Sequence, residues 1–217
     1  MNGSAAALPP DPPAWIAKVI NSSMSGPGND LHLPAGREPA FGLPLVGFAS
    51  GQDELWQTFK TAVGEFHWTP EEAFGLVYPE SPAGAEELSV ISWILPQMEQ
   101  TRRDNRKESV YPAERWARAR IMGENHVNNG LRDHLVSELR RAGLQAFAPT
   151  RLPQWERRDS PGYLCASASP ERPAPDAAGL VPPALRVRRM SSPGTAVRAC
   201  WASGPANAHA PRAGHAP

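Results

Sequence analysis

The chain has 217 residues, which is room for one domain of ordinary size with a tail. Its 22 basic and 22 acidic residues give a net charge of +0, and this balance excludes the strongly basic surface typical of non-specific nucleic-acid binding. No apolar run reaches membrane-spanning length, and residues 1–13 lack the basic start and apolar centre of a secretory signal. We therefore expect a cytoplasmic protein without membrane association.

Proline and glycine divide the chain into three parts. There are 25 prolines and 18 glycines, and proline is concentrated towards both ends. We predict a disordered N-terminus at residues 1–12 and an α/β domain at residues 13–160. From residue 161 to 217, Ala, Pro, Arg and Ser dominate and no periodicity survives past Leu185, so we expect a disordered or degenerate tail.

The first half of the domain carries clear start signals. Asp11 followed by Pro12 predicts a helix N-terminus, since aspartate caps and proline suits the first turn. The short apolar run at residues 43–49 predicts a strand. Thr69 with Glu72 three residues later is the capping-box pattern of another helix, whose buried side we assign to Ala73, Leu76 and Val77.

The second half predicts a strand, a long helix and a second strand. Residues 87–96 form an apolar run that ends in proline, which is typical of a central strand. Residues 111–142 predict the longest helix, broken near Gly123 and ended by Gly143, and residues 144–149 predict the second strand. This order indicates a βαβ unit within a layered α/β or α+β fold whose central sheet is flanked by helices. The helix face expected to be buried comprises Ile121, Leu131, Leu135 and Leu139.

A series of sequence blocks within residues 13–200 carries a family resemblance. The blocks are 89–97 (SVISWILPQ), 102–106 (RRDNR), 111–118 (YPAERWAR), 143–149 (GLQAFAP) and 155–161 (WERRDSP). Together they resemble the N-terminal region of proteins similar to epoxyqueuosine reductase, a family of corrinoid and [4Fe–4S] ferredoxin-type reductases. No single block is a catalytic signature, so the resemblance rests on the series.

The resemblance implies a function in tRNA modification. In that family an N-terminal α/β part cradles a cobalamin, and a ferredoxin-like part carries the iron–sulfur clusters. The full reductases remove an epoxide oxygen from a modified tRNA base to give queuosine. By resemblance we expect a truncated oxidoreductase with a corrinoid-binding part, acting in this or a related reduction, with tRNA or a separate electron donor as partner.

The cysteine count departs from the family pattern. One [4Fe–4S] cluster takes four thiolates, whereas this chain has two cysteines, Cys165 and Cys200. The cluster ligands expected for the family are therefore absent from this sequence. We expect the chain to be inactive alone, and the alternative is a non-catalytic α/β binding module or a decayed product without activity.

Two further departures affect the expected site. Val181, Pro182 and Pro183 stand where the family has a glycine turn, and proline removes backbone donors and forbids positive φ. Residues 146–149 lack the acid that the true reductases carry in the matching region. An Ala-, Pro- and Arg-rich tail of this kind is what a local change of reading frame produces.

The resemblance and the loop position together predict the cofactor-binding residues. The block after the second strand lies at a strand-to-loop transition, where α/β domains often carry their sites. The predicted cofactor-binding residues are Trp155, Glu156, Arg157, Ser160, Gly179, Gly194 and Arg198. The sequence singles out no catalytic residue.

Charged and histidine side chains give two weaker signals. Glu114, Arg115 and Arg118 share one helical turn; they either meet a corrinoid side chain or a tRNA phosphate, or form a solvated face with i,i+4 pairs. The histidines are scattered without ligand spacing, so we predict side chains on the surface or on a helix face, and no metal site. These histidines are His32, His67, His126, His134, His209 and His215.

Overall fold

The computed structural model describes residues 9–160 and 163–167. The helices are α1 (Pro12–Met24), α2 (Leu55–Val63), α3 (Pro70–Val77), α4 (Glu99–Lys107), α5 (Glu114–Met122) and α6 (Asn129–Arg141), with 3₁₀ turns at Ala85–Glu87 and Pro149–Arg151. The strands are β1 (Leu45–Ser50), β2 (Ser89–Ile94), β3 (Arg157–Ser160) and β4 (Tyr163–Ser167). A π-helical segment, Gly123–Asn128, joins α5 to α6 in one continuous helix.

Strand β2 forms within the apolar run at residues 87–96 and lies between two hydrophobic cores of a mixed α/β fold. It pairs antiparallel with β1 in a register that runs from Leu45 opposite Ile94 to Ser50 opposite Ser89. The first five residues of β2 are buried. Because successive side chains of a strand point to opposite faces, β2 contributes to a hydrophobic core on each side of the sheet.

Helices cover both faces of this two-stranded sheet. Ile91 and Trp93 of β2 belong to the first core, together with residues of α1, α5 and α6. Val90 belongs to the second core, which includes Trp56 of α2 and Phe74 of α3. The predicted arrangement of a central sheet flanked by helices is confirmed.

The predicted helix ends have their expected chemistry. Asp11 Oδ1 accepts a hydrogen bond from the Ala14 N–H at 3.1 Å. The Thr69 hydroxyl accepts from the Glu72 N–H at 3.3 Å, and the Glu72 carboxylate accepts from the Thr69 N–H at 2.9 Å. Gly143, just beyond α6, has φ +83°, a conformation that favours glycine. Local sequence therefore sets these boundaries.

The predicted βαβ unit is wrong. Residues 144–148 form no strand, and the partner of β2 within the described residues is the antiparallel β1. The Ala146 carbonyl instead accepts hydrogen bonds from the Tyr78 hydroxyl at 2.9 Å and from Arg140 Nε at 2.8 Å. Side chains thus occupy a backbone acceptor that a strand ladder would use.

The buried face predicted for the long helix is right only after the π-helical segment. Leu131, Leu135 and Leu139 are buried, whereas Ile121 is 61% exposed. A π-helical turn inserts extra backbone, which rotates the residues before it relative to those after it. The buried residue of α5 is Ala119. A similar correction applies to α3, where Leu76 is 46% exposed and Phe74 is buried.

The ends of the described chain differ in part from the sequence predictions. Helix α1 begins at Pro12, within the N-terminal segment expected to be disordered, and residues 1–8 lie outside the described residues. Strand β4 lies within the predicted tail and pairs antiparallel with β3, so the expectation of disorder fails there. The rest of the tail lies outside the described residues. Within the described part, no helix has the length and apolar character to cross a membrane.

Candidate functional site

The predicted cofactor loop begins where a 3₁₀ turn ends. Trp155 is partly buried, and its N–H donates to the Leu152 carbonyl at 3.0 Å. Glu156 beside it is exposed. Arg157 and Ser160 are the first and last residues of β3, where they pair with residues of β4. Trp155 and Glu156 therefore lie just before β3, and Arg157 and Ser160 lie in the β3–β4 hairpin.

Three predicted cofactor-binding residues, Gly179, Gly194 and Arg198, lie outside the described residues. The Val181–Pro183 turn and Cys200 lie outside them as well. Cys165 is a residue of β4. The described site is therefore the part that lies before residue 168.

Arg115 joins three segments of the chain. Its Nε donates to Glu38 Oε1 at 2.9 Å, and its Nη1 donates to Asp104 Oδ2 at 2.8 Å. The hydrogen bond to Glu38 is the main cause that raises the pKa of Arg115, against the opposing effect of its partial desolvation. Arg115 at the start of α5 is thus held between α4 and the loop before β1.

The other two charges on this helical turn are also paired within the protein. Arg118 Nε donates to Glu114 Oε1 at 2.8 Å, one turn earlier on α5. Arg118 Nη1 donates to the His32 carbonyl at 2.8 Å, and His32 has φ +50°. The prediction of i,i+4 pairing is confirmed, and Arg118 additionally holds the loop that contains His32.

Asp30 organises the same loop from within. Its Oδ1 accepts from the His32 N–H at 2.9 Å and from the Glu38 N–H at 3.2 Å. The His32 N–H is the main cause that lowers the pKa of Asp30, and burial opposes the shift. Residues 30–38 therefore form a loop closed by its own hydrogen bonds and tied to α5 by two arginines.

A cleft of about 400 Å³ lies between this loop and the α4–α5 connection, and we call it the arginine cleft. The loop residues at its edge are apolar, and the helix residues are charged. Its lining comprises Leu33, Pro34, Ala35, Asp104, Lys107, Glu108, Ala113, Glu114 and Arg115. Asp104 in this lining forms ion pairs with both Arg115 and Lys107, so these charges are partly neutralised within the protein.

A second cleft, of about 360 Å³, lies between the C-terminal end of α1 and the π-helical segment, and we call it the π-helix cleft. Asn29 in its wall is buried, with Nδ2 donating to the Met24 and Phe41 carbonyls and Oδ1 accepting from the Phe41 N–H. Its lining comprises Ser22, Ser23, Met24, Gly28, Asn29, His126, Val127, Gly130, Leu131 and His134.

Sequence reasoning missed the polar residues that fix the π-helix cleft. Asn128 is fully buried, and its Oδ1 accepts a hydrogen bond from Trp93 Nε1 at 3.1 Å. Asn29 bridges α1 and the segment before β1. The sequence signal for these residues was an asparagine near a glycine: Asn29 follows Gly28, and Asn128 precedes Gly130. Such a pattern indicates a loop or a helix break equally well.

No family model, curated protein or solved structure matches the chain.

The chain does not fit an iron–sulfur cluster, because it has two cysteines and a [4Fe–4S] cluster takes four thiolates. Within residues 9–160 and 163–167, no group of three or more His, Cys, Asp or Glu side chains is placed to hold a metal ion. These observations assign no redox centre to the described residues.

Neither of the two described clefts has the size to enclose a corrinoid. Pockets of about 300–1,000 Å³ enclose drug-sized ligands, and a corrinoid is far larger than such a ligand. The arginine cleft and the π-helix cleft lie at the lower end of that range. Neither cleft is lined by Trp155 or Glu156. A corrinoid would therefore need a second surface to cover it.

Proposed function

We propose that this chain provides the N-terminal α/β part of a reductase similar to epoxyqueuosine reductase, and that it forms one wall of a corrinoid site. The observation that carries the proposal is the interlocking of the resembling blocks. The Ala113 N–H of one block donates to Asn105 Oδ1 of another at 3.1 Å, and Arg115 pairs with Asp104 across the same two blocks. Sequence blocks that are each too short to indicate a family by themselves are therefore in contact in the folded protein.

Packing in the core supports the same grouping. Val90, in the block that contains β2, and Phe147, in the block after α6, belong to the second hydrophobic core. Burial of such side chains stabilises the fold by about 1.5–3 kcal/mol each. The series of blocks therefore corresponds to a packed body, which is what an N-terminal part that folds as a domain requires.

The reaction class we propose is reduction of an epoxide on a modified tRNA base, or a related reduction. A bound corrinoid would supply a reduced metal centre, and iron–sulfur clusters would deliver its electrons. The 217 residues contain two cysteines, so the cluster ligands would lie outside them, for example in a separate electron donor.

The corrinoid wall is tested by equilibrium dialysis of hydroxocobalamin against the wild-type chain and single variants. We expect Trp155→Ala and Glu156→Gln to weaken binding at least about tenfold, equivalent to about 1.4 kcal/mol. Trp68→Ala is the control, because Trp68 is also partly buried and lies outside the resembling blocks. Equal binding by all four proteins would remove the loop from the site.

A second candidate function is a non-catalytic α/β binding module. It is favoured by the internal pairing of Arg115 and Arg118, which leaves those cations engaged with Glu38, Asp104 and Glu114. Under this alternative the chain is folded and shows no hydroxocobalamin binding in the same dialysis.

Binding of tRNA discriminates further between the candidates. A gel shift with bulk tRNA at two salt concentrations separates phosphate-driven binding, which must weaken with salt, from none. We expect no strong complex from the chain alone, because its net charge is +0 and the two arginines are paired. A tight, salt-sensitive complex would favour a tRNA-binding module.

A further inference from the structure

Two features of the π-helix cleft carry a cost in helix stability. The first is the π-helical segment itself, since π-helical turns are rare and occur frequently at functional sites. The second is Gly130 in the first turn of α6, because glycine inside a helix is less stable than alanine. Both line or border the same cleft.

The packing of the protein does not require glycine at position 130. Gly130 is not among the glycines with positive φ, which are Gly36, Gly64 and Gly143. A Cβ built on Gly130 meets no atom within 4 Å, and the same holds for Gly28 on the opposite wall. The two glycines therefore keep open a space that the described residues leave unfilled.

The walls around this space combine apolar and histidine side chains. Met24, Val127 and Leu131 are buried and apolar. His126 and His134 line the cleft and are exposed, and none of the described side chains that line it is a carboxylate. The Ser22 and Ser23 hydroxyls at the edge of the cleft both donate to the Val19 carbonyl.

The two histidines cannot share one metal ion. They lie eight positions apart on a continuous helix, and a rise of about 1.5 Å per residue separates them by about 12 Å. Each imidazole carries an N–H that can donate a hydrogen bond to a ligand in the cleft.

We propose that the π-helix cleft binds a small planar aromatic molecule that carries an anionic group. The ring lies over the bare backbone of Gly28 and Gly130, where a flat face can approach closely. Met24 adds a thioether, which favours aromatic contact. The anionic group accepts a hydrogen bond from His126 or His134, and none of the described lining side chains is a carboxylate that would repel it. This site is separate from the corrinoid wall and goes beyond the proposed function.

The volume of the cleft sets the size of the ligand. About 360 Å³ is at the lower end of ligand pockets, which suits one or two fused rings and excludes a corrinoid. The dye 8-anilinonaphthalene-1-sulfonate has this chemistry, with a planar aromatic system and a sulfonate, and it fluoresces when bound to an apolar site.

Fluorescence titration with this dye tests the proposal. We expect saturable binding to the wild-type chain and at least about tenfold weaker binding to Gly130→Leu, whose side chain fills the cleft. Gly75→Leu is the matched control, because Gly75 is also helical and its built Cβ also meets no atom within 4 Å, but it lies on α3. The His126→Ala/His134→Ala double variant should also bind at least threefold more weakly, by roughly the loss of a hydrogen bond to an anion.

The fold of each variant is checked by its thermal unfolding midpoint. If Gly130→Leu does not fold, Gly130→Ala replaces it, since a methyl group there improves helix propensity and narrows the cleft. We then expect Gly130→Ala and Gly75→Ala to have higher midpoints, with weaker dye binding in Gly130→Ala alone. Equal dye affinity in the wild-type chain and the folded Gly130 variant overturns the proposal.

Discussion

Trp93 Nε1 donates a hydrogen bond to Asn128 Oδ1 at 3.1 Å, and both residues are fully buried. Trp93 lies in β2 of the two-stranded sheet, and Asn128 is the last residue of the π-helical segment. The bond therefore ties the irregular part of the long helix to the most regular part of the fold. Through it the position of the π-helix cleft depends on the sheet.

We predict that Trp93→Phe lowers the free energy of unfolding by about 2–4 kcal/mol. The substitution removes the hydrogen-bond donor of the buried side-chain oxygen Asn128 Oδ1, and it leaves a cavity where the indole ring was. Urea unfolding measures the loss. Trp116→Phe is the control and should cost less than about 1 kcal/mol, because Trp116 is only partly buried. Similar losses in the two variants would mean that the buried bond contributes little.

The lowered pKa of Glu72 should make the stability of the protein depend on pH. Partial burial alone would raise the pKa of Glu72, but hydrogen bonds from Lys60 Nζ at 2.6 Å and from the Thr69 N–H together lower it. A carboxyl whose folded-state pKa is lowered stabilises the protein above its unfolded-state pKa, and the contribution is lost as pH falls through the folded-state value.

We therefore expect Glu72→Gln to cost about 0.5–1 kcal/mol at pH 7, a modest value because the side chain is 45% exposed. Below the ordinary glutamate pKa of 4.5 the difference from wild type should shrink. Thermal unfolding midpoints from pH 7 to pH 3 measure it. Glu71→Gln, in the same first turn, is the control. A difference that does not change with pH would contradict the assignment.

We predict that replacing Arg115 with lysine loosens the loop of residues 30–38. Arg115→Lys keeps the charge but cannot bind Glu38 and Asp104 with two separate nitrogens of a planar group. We expect faster amide hydrogen exchange in residues 30–38, measured by mass spectrometry. Arg106→Lys, which changes a pair confined to α4, should leave that exchange unchanged. Unchanged exchange in Arg115→Lys would show that the loop is held by other contacts.

Gly143 tests the backbone conformation at the end of α6. Its φ of +83° favours glycine, so Gly143→Ala should lower the free energy of unfolding, measured by chemical denaturation, by about 1–2 kcal/mol. Gly75→Ala should instead raise stability by up to about 1 kcal/mol, since Gly75 is helical and its Cβ would be unobstructed. Changes of the same sign in the two variants would contradict this account of the α6 end.

Local signals in the sequence predict much of the fold because their physics is local. The Asp11 cap, the Thr69–Glu72 box and the Gly143 stop each depend on atoms a few residues apart, and each is present. The strand at Ser89–Ile94 is predicted because residues buried on both faces read as a continuous apolar run, but among the described residues it pairs with β1 alone and is not central in its sheet.

The failures come from long-range contacts. Residues 144–149 have the composition of a strand, but the Ala146 carbonyl binds Tyr78, 68 positions away in sequence. The π-helical segment shifts the helical phase, so Ile121 moves to the surface although its spacing matches the buried leucines. A uniform period of 3.6 cannot represent such an insertion.

The candidate site was predictable only in part. The i,i+4 pair of Glu114 and Arg118 follows from helix geometry. The pairing of Arg115 with Glu38, 77 positions away, does not follow from it, and this contact decides that the cation is engaged within the protein. The π-helix cleft was missed because its glycines and asparagines are local signals for turns.

The visible spectrum of hydroxocobalamin with purified chain tests the central claim most directly. The corrinoid-wall account predicts a saturable shift of the cofactor bands at micromolar protein, with cofactor and protein coeluting on gel filtration. An unchanged spectrum at the same concentrations, from a chain shown to be folded by its thermal transition, would contradict it.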